Sequence, residues 1–145
     1  MQTLMDRQNK LVQDFSAIKA WDDRYKKMID MGKQLPEMPA EFKTDQNLIK
    51  GCQSQVWLHA RLSDQGLVEL YGDSDALIVK GIVAVLLSIY NQSSPEEILK
   101  HQPDFLRDIG FEANLSPSRT NGLYSMLKQI KMYATAFQYL LNQKK

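Results

Sequence analysis

The chain has 145 residues, of which 43% are hydrophobic and 24% charged, with a formal net charge of +1. That length supports one domain, residues 1–145, with a core that needs no disulfide or metal to hold it. A balanced charge with interspersed acids and bases argues against a nucleic-acid partner. The single cysteine excludes an intramolecular disulfide, and a soluble cytoplasmic protein is expected.

The N-terminus meets Asp6 and Arg7 before any apolar run, so it does not read as a signal peptide. Leu4, Leu11, Val12, Phe15 and Ile18 fall on one face at helical spacing. A second helix carries Trp21, Tyr25, Met28 and Ile29 on one stripe, with Gly32 where a C-terminal stop is expected. Pro36 and Pro39 then break any helix. The stretch QLPEMPAEFKTDQNLIKGC lacks periodicity, exceeds the usual connection of about 4–6 residues, and ends on Cys52.

After Cys52 the period changes to two. Val56, Leu58, Ala60 and Leu62 share one strand face; Gln55, Trp57, His59 and Arg61 share the other. SDQG, residues 63–66, is a turn signal, and LVELYG forms the second strand of an antiparallel hairpin. Two strands alone are marginal, so a third strand or a helical cover is expected, and the loop before Cys52 is one source of it. Asp73 or Ser74 is positioned to cap a helix from 75 to about 90. This helix is apolar almost all round and reads as the buried centre. Its core, ALIVKGIVAVLLSIY, is 15 residues long, short of the roughly 20 that span a bilayer.

Ser94, Pro95 and Glu97 stand in the order of a capping box. Ser116 and Pro117 start a last helix whose stripe runs Leu123, Met126, Leu127, Ile130, Tyr133, Ala134, Phe137, Leu140 and Leu141. Helices, hairpin and helices in this order predict an α+β domain, a small antiparallel sheet covered on one face by helices.

On its residues alone Cys52 has two readings. Free cysteines are often buried and inert. Yet Cys52 lies at a loop-to-strand junction, Gly51 removes a side chain beside it, and Gln53 and Ser54 are polar company. A nucleophilic thiol needs a cation or dipole nearby. Arg119 is one candidate, because a positive charge in a first helical turn opposes the macrodipole and calls for a partner; an exposed arginine is the other reading. Asp75 is explained by the same dipole, and Asp73 by a turn or cap. No metal-ligand spacing connects Cys52 with His59 or His101. His59 shares the strand with Cys52, roughly 23 Å away if extended, while a distant Cys52–His101 pair remains open as a hydrolase arrangement. Neither an iron–sulfur ligand set nor a phosphate-binding glycine loop is present. Trp57 reads as core beneath the helices, with an exposed partner anchor as the alternative.

Four stretches, WDDRYKKMIDMGKQLPEMP, IKGCQSQVWL, LYGDSDALIVKGIVAVLLSIY and LSPSRTNGL, resemble the SufE family of sulfur acceptors in order and spacing, over nearly the whole chain. GCQSQVW resembles SufE proper more than the related CsdE branch, which carries Gly-Cys-Glu-Asn-Arg-Val-Trp there. The resemblance implies a SufE-like fold and a sulfur carrier rather than an enzyme. Its partner is a SufS-type cysteine desulfurase, whose pyridoxal phosphate belongs to the partner; the carrier has no cofactor or metal of its own. Sulfane sulfur is accepted as a persulfide on Cys52, the desulfurase is activated, and the sulfur passes to a SufBCD-type scaffold for iron–sulfur cluster assembly. The resemblance ties Asp75 to how the cysteine loop is held and Arg119 to partner contact or the thiol's surroundings. A cytoplasmic monomer or weak homodimer is expected, with no membrane partner. The loop should shelter Cys52 at rest and extend it on docking. The tail FQYLLNQKK follows no family motif.

Overall fold

Helices α1 (Leu4–Ser16) and α2 (Trp21–Lys33) open a computed structural model that describes residues 2–144. A reciprocal capping box starts α1: the Thr3 hydroxyl accepts from the Asp6 N–H at 3.0 Å, and the Asp6 carboxylate accepts from the Thr3 N–H at 3.1 Å. Two of the orphan donors of the first turn are thereby satisfied. The helix then buries Leu4, Leu11 and Phe15. In α2 the expected stop at Gly32 is not made. The helix passes through Gly32 to Lys33 and is capped at Gln34. Gly32 serves packing: a Cβ there would lie 2.9 Å from the Gly81 nitrogen, and one on Gly81 would lie 2.5 Å from the Met28 oxygen. Two glycines therefore let the backbones of α2 and the central helix touch.

Residues 34–55 form a long connection with two short 3-10 turns, Ala40–Phe42 and Asp45–Asn47. It supplies no third strand. Leu48 makes one isolated bridge to Trp57. The hairpin pairs β1 (Val56–Leu62) with β2 (Val68–Ser74), Val56 opposite Ser74 and Leu62 opposite Val68. Alternation sends Val56, Leu58 and Ala60 inward with Val68 and Leu70, all buried, and the helices cover that face. The opposite face lies under the long loop. Phe42 stacks on His59 with ring centroids 4.0 Å apart, and the Lys43 ammonium lies 5.4 Å over the Trp57 ring. Trp57 is thus half-buried beneath the loop and not core beneath the helices, because its strand parity puts it on the outer face.

The central helix α3 (Leu77–Tyr90) buries ten of its fourteen residues, which accounts for a surface that is apolar almost all round, with Lys80 and Ser88 on its less buried side. It starts later than the sequence suggests. Ala76 stands at the N-cap with no side-chain cap, while Asp73 and Ser74 remain in β2. Four helices complete the chain: α4 (Pro95–Lys100), α5 (Phe105–Ile109), α6 (Phe111–Asn114) and α7 (Pro117–Gln143). Ser94 caps α4 through the Glu97 N–H at 3.1 Å, but the Glu97 carboxylate accepts from the distant Leu4 N–H at 3.1 Å. Half of the expected capping box is thus spent on joining α4 to α1. Ser116 caps α7, accepting from the Arg119 N–H at 3.4 Å. The stripe of α7 buries Leu123, Met126, Leu127, Ile130 and Ala134, with Tyr133 and Phe137 packed at its edge. Leu140, placed on that stripe by periodicity, is instead 49% exposed. The result is an α+β fold with helices on one face of a two-stranded antiparallel sheet. Among the described residues no helix is long and apolar enough to cross a membrane.

Candidate functional site

Cys52 sits where the long loop meets the start of α7. Gly51 has φ 89°, a left-handed conformation that glycine adopts without steric cost. It turns the chain so that the Cys52 Sγ lies 3.9 Å from the Gly122 carbonyl oxygen. A Cβ on Gly122 would come within 3.3 Å of that sulfur. Gly122 therefore clears the space the thiol occupies. The sequence carries a signal for this: a glycine inside a helix costs about 1 kcal/mol and implies a packing or functional reason.

The loop is fastened on both sides of the cysteine, and both fastenings lie on residues 73–75. Downstream, the Gln55 N–H donates to the Asp75 carboxylate at 3.1 Å, and the Gln55 carbonyl accepts from the Ser74 hydroxyl at 2.8 Å and the Asp75 N–H at 3.3 Å. Upstream, the Lys43 ammonium pairs with the Asp73 carboxylate at 2.5 Å, and Lys80 of α3 pairs with the same carboxylate at 3.3 Å. Burial opposes ionisation of Asp73, but hydrogen bonds from Lys43, the Ser74 N–H and Lys80 outweigh it and hold the carboxyl below its ordinary value. Asp73 is thus a buried ionic anchor for the loop and not a helix cap. Sequence reasoning missed Lys43, and it read Ser74 only as a cap and Gln55 only as a strand residue, because the partners that make all three fasten the loop are set by tertiary contact.

Cys52 is half-buried, and burial pushes its thiol pKa up. At neutral pH it rests as a thiol, in a state that protects it from chance oxidation. It opens into a cleft of about 570 Å³ lined by Ile29, Ser54, Leu77, Ser118, Arg119 and Met126, among others. Leu77 stands at this cleft 63% exposed. Arg119 is partly exposed, and among the described residues its guanidinium makes no ion pair or hydrogen bond. The structure therefore brings Cys52 and Arg119 into one cleft. Asp75 stays outside the lining and acts through Gln55.

The histidines belong elsewhere. His59 lies under Phe42 on the outer sheet face. His101 is buried, with Nε2 2.6 Å from Gln8 Oε1 and Nδ1 2.9 Å from the Tyr90 hydroxyl. Neither lines the cleft, and both ring nitrogens of His101 are engaged, so the Cys52–His101 pairing left open by the sequence is not made. Among the described residues no three His, Cys, Asp or Glu side chains gather as metal ligands. A second cavity, of about 390 Å³ between α2, α3 and β2, is lined by Met31, Leu35, Met38 and Leu87 among others and holds no thiol, histidine or cation.

The fold is similar to that of a hypothetical protein from Thermus thermophilus solved in solution, with a TM-score of 0.77 and 22% identity over 92% of this chain and 96% of that one. The sequence matches the family described as "SufE: Fe-S metabolism associated domain" over residues 9–134, a span that includes the Cys52 loop, residues 73–75 and Arg119. By that match the chain belongs to the SufE family, and its role lies in iron–sulfur metabolism.

Proposed function

We propose that this chain is a sulfur acceptor and activator of a SufS-type cysteine desulfurase, a carrier and not itself an enzyme. The observation that carries the reading is the lone thiol on a doubly fastened loop, opening into a cleft that Arg119 also lines, its guanidinium without an ion pair among the described residues. The Cys52 thiolate attacks the terminal sulfur of a persulfide on the desulfurase. The bond between that sulfur and the partner's cysteine breaks, and the partner's cysteine leaves as a thiolate that takes up the proton Cys52 lost. Cys52 then carries an anionic persulfide, and no electrons are gained or lost overall.

Arg119 supplies positive charge beside that anion. Asp75 and Asp73 hold the loop in its sheltered state, which the desulfurase releases on docking. Removing the partner's persulfide frees the desulfurase for its next cycle, which is the activation. The pyridoxal phosphate that liberates sulfur from cysteine belongs to the desulfurase. Cys52 hands its sulfur onward to a SufBCD-type scaffold in the cytoplasm. A single cysteine suits this role, because a second thiol nearby would resolve the persulfide to a disulfide and release the sulfur. The test is intact-mass analysis after incubation with a SufS-type desulfurase and cysteine. Addition of one sulfur to the wild type and none to Cys52→Ser supports the reading; an unmodified wild type overturns it.

A further inference from the structure

The family match ends at residue 134, yet α7 continues without a break to Gln143. The C-terminal half of α7, which spans the end of that match, carries an apolar stripe that nothing in the cleft uses. Met132 is 55% exposed, Tyr139 64% and Leu140 49%. At about 100° per residue, Met132, Ala136, Tyr139 and Leu140 lie within about 100° of arc, the width of face that a helix ordinarily buries. This stripe lies opposite the one that packs Ile130 and Ala134 into the core. The C-terminal half of α7 is therefore apolar on two sides, and only one of them is covered.

Charge selects the occupant. The 27 residues of α7 include Arg119, Lys128 and Lys131 and not one Asp or Glu. Lys131 is occupied, donating to the Ile98 and His101 carbonyls. Lys128 borders the stripe and Lys144 follows the helix, and neither makes an ion pair among the described residues. On the adjacent α4, Glu96 pairs with Lys100 and Glu97 accepts from the Leu4 N–H. Stacking a second copy of α7 on this face would set lysine against lysine with no acid between them.

We infer that the outer face of α7 from Lys128 to Gln143 is a docking surface for an acidic, amphipathic helix of a partner protein. Met132, Tyr139 and Leu140 are its apolar anchors, and Lys128 and Lys144 its charged rim. The surface begins about 9 Å along the helix axis beyond Gly122, where Cys52 packs, and ends about 30 Å beyond it. A partner held here leaves the cleft open to another. The inference holds whether or not Cys52 carries sulfur.

The test titrates the isotope-labelled full chain with a synthetic helical peptide that has a leucine face and a glutamate face, and with its lysine counterpart. The glutamate peptide is expected to shift the amide signals of residues 128–143. The lysine peptide should bind at least about tenfold more weakly. Tyr139→Ser with Leu140→Ser should weaken the glutamate peptide by about tenfold or more. Lys128→Glu with Lys144→Glu, which leaves the apolar stripe intact, should reverse the preference between the peptides. All four positions are exposed or at the helix end, so an unchanged melting temperature verifies the fold of each variant. Equal affinity for the two peptides, or shifts confined to other segments, overturns the inference. Sedimentation showing a dimer that the serine variant dissolves overturns it in favour of a second copy. Binding to phosphatidylglycerol vesicles without binding to the glutamate peptide overturns it in favour of a membrane surface.

Discussion

His101 and Cys52 both lie within reach of nucleophilic or acid–base chemistry by residue type, and the structure treats them in opposite ways. Every polar atom of the His101 ring has a partner in a buried site between Gln8 and Tyr90. Cys52 has one weak contact with a carbonyl, a cleft in front of it and, lining that same cleft, an Arg119 guanidinium that makes no ion pair or hydrogen bond among the described residues. Buried polar groups with complete hydrogen bonding rigidify and specify a core. A polar group left incompletely satisfied at an opening is available to another molecule. The difference separates structure from chemistry, and mutating each site should expose it.

The largest effect is expected at the cysteine. Cys52→Ser should abolish sulfur acceptance in the desulfurase assay, yet change stability by less than about 1 kcal/mol, because the side chain is half-exposed and its contact weak. His101→Ala should do the reverse. It strands Gln8 and Tyr90 and opens a void, costing about 2–4 kcal/mol in denaturant unfolding. Sulfur transfer measured well below the lowered midpoint should persist. Loss of transfer in a folded His101 variant would return that residue to the chemistry.

Acid sharpens the same contrast. Burial, with help from Lys131, lowers the His101 pKa to about 4 from its ordinary 6.5. Between these values the unfolded chain binds a proton that the native ring refuses, so the contribution of His101 to stability is fully present above pH 6.5. It falls as pH drops and is lost as pH passes through about 4, on the order of 3 kcal/mol in all. His101→Gln should flatten that part of the pH–stability curve. Cys52 acts at the other end of the scale and on rate. Burial raises its pKa, so its alkylation rate should rise with pH through a midpoint above that of an unfolded peptide thiol. Docked desulfurase should lower the midpoint if it extends the loop.

Much of this arrangement was legible in residues that obey local rules. The alternation from Val56 to Leu62, the all-apolar α3 and the Ser-Pro starts of α4 and α7 each carry their own signal. So does the glycine before Cys52. Other features depend on partners far along the chain. Gly32 looks like a helix stop because its local surroundings are those of one, while the reason for it is the backbone of Gly81. Asp73 looks like a cap because it precedes a helix, and only the approach of Lys43 and Lys80 makes it an anchor. Leu140 satisfies the periodicity of α7, but the core ends before it, and the stripe continues where nothing covers it. The role of His101 was hidden for the same reason: Gln8 stands 93 residues away.

The smallest expected effect tests whether the fastening of the loop, and not merely its sequence, shelters the thiol. Asp73→Asn keeps the shape of the side chain and removes the charge that holds Lys43 and Lys80. Asp75→Ala removes the acceptor for the Gln55 N–H and leaves the Asp73 anchor intact. The Lys43 and Lys80 ammonium groups and the Gln55–Asp75 contact are partly solvated, so each change should cost only about 1 kcal/mol of stability. If the two fastenings share the work, each variant should raise the alkylation rate of Cys52 in the free protein a few-fold. The double variant should raise it further, toward the rate of the desulfurase-bound wild type. Equal rates in the wild type, both single variants and the double variant would mean that the contact with Gly122 alone shelters Cys52. Gly122→Ala, which intrudes on the sulfur at 3.3 Å, would then be the change that drives the thiol out.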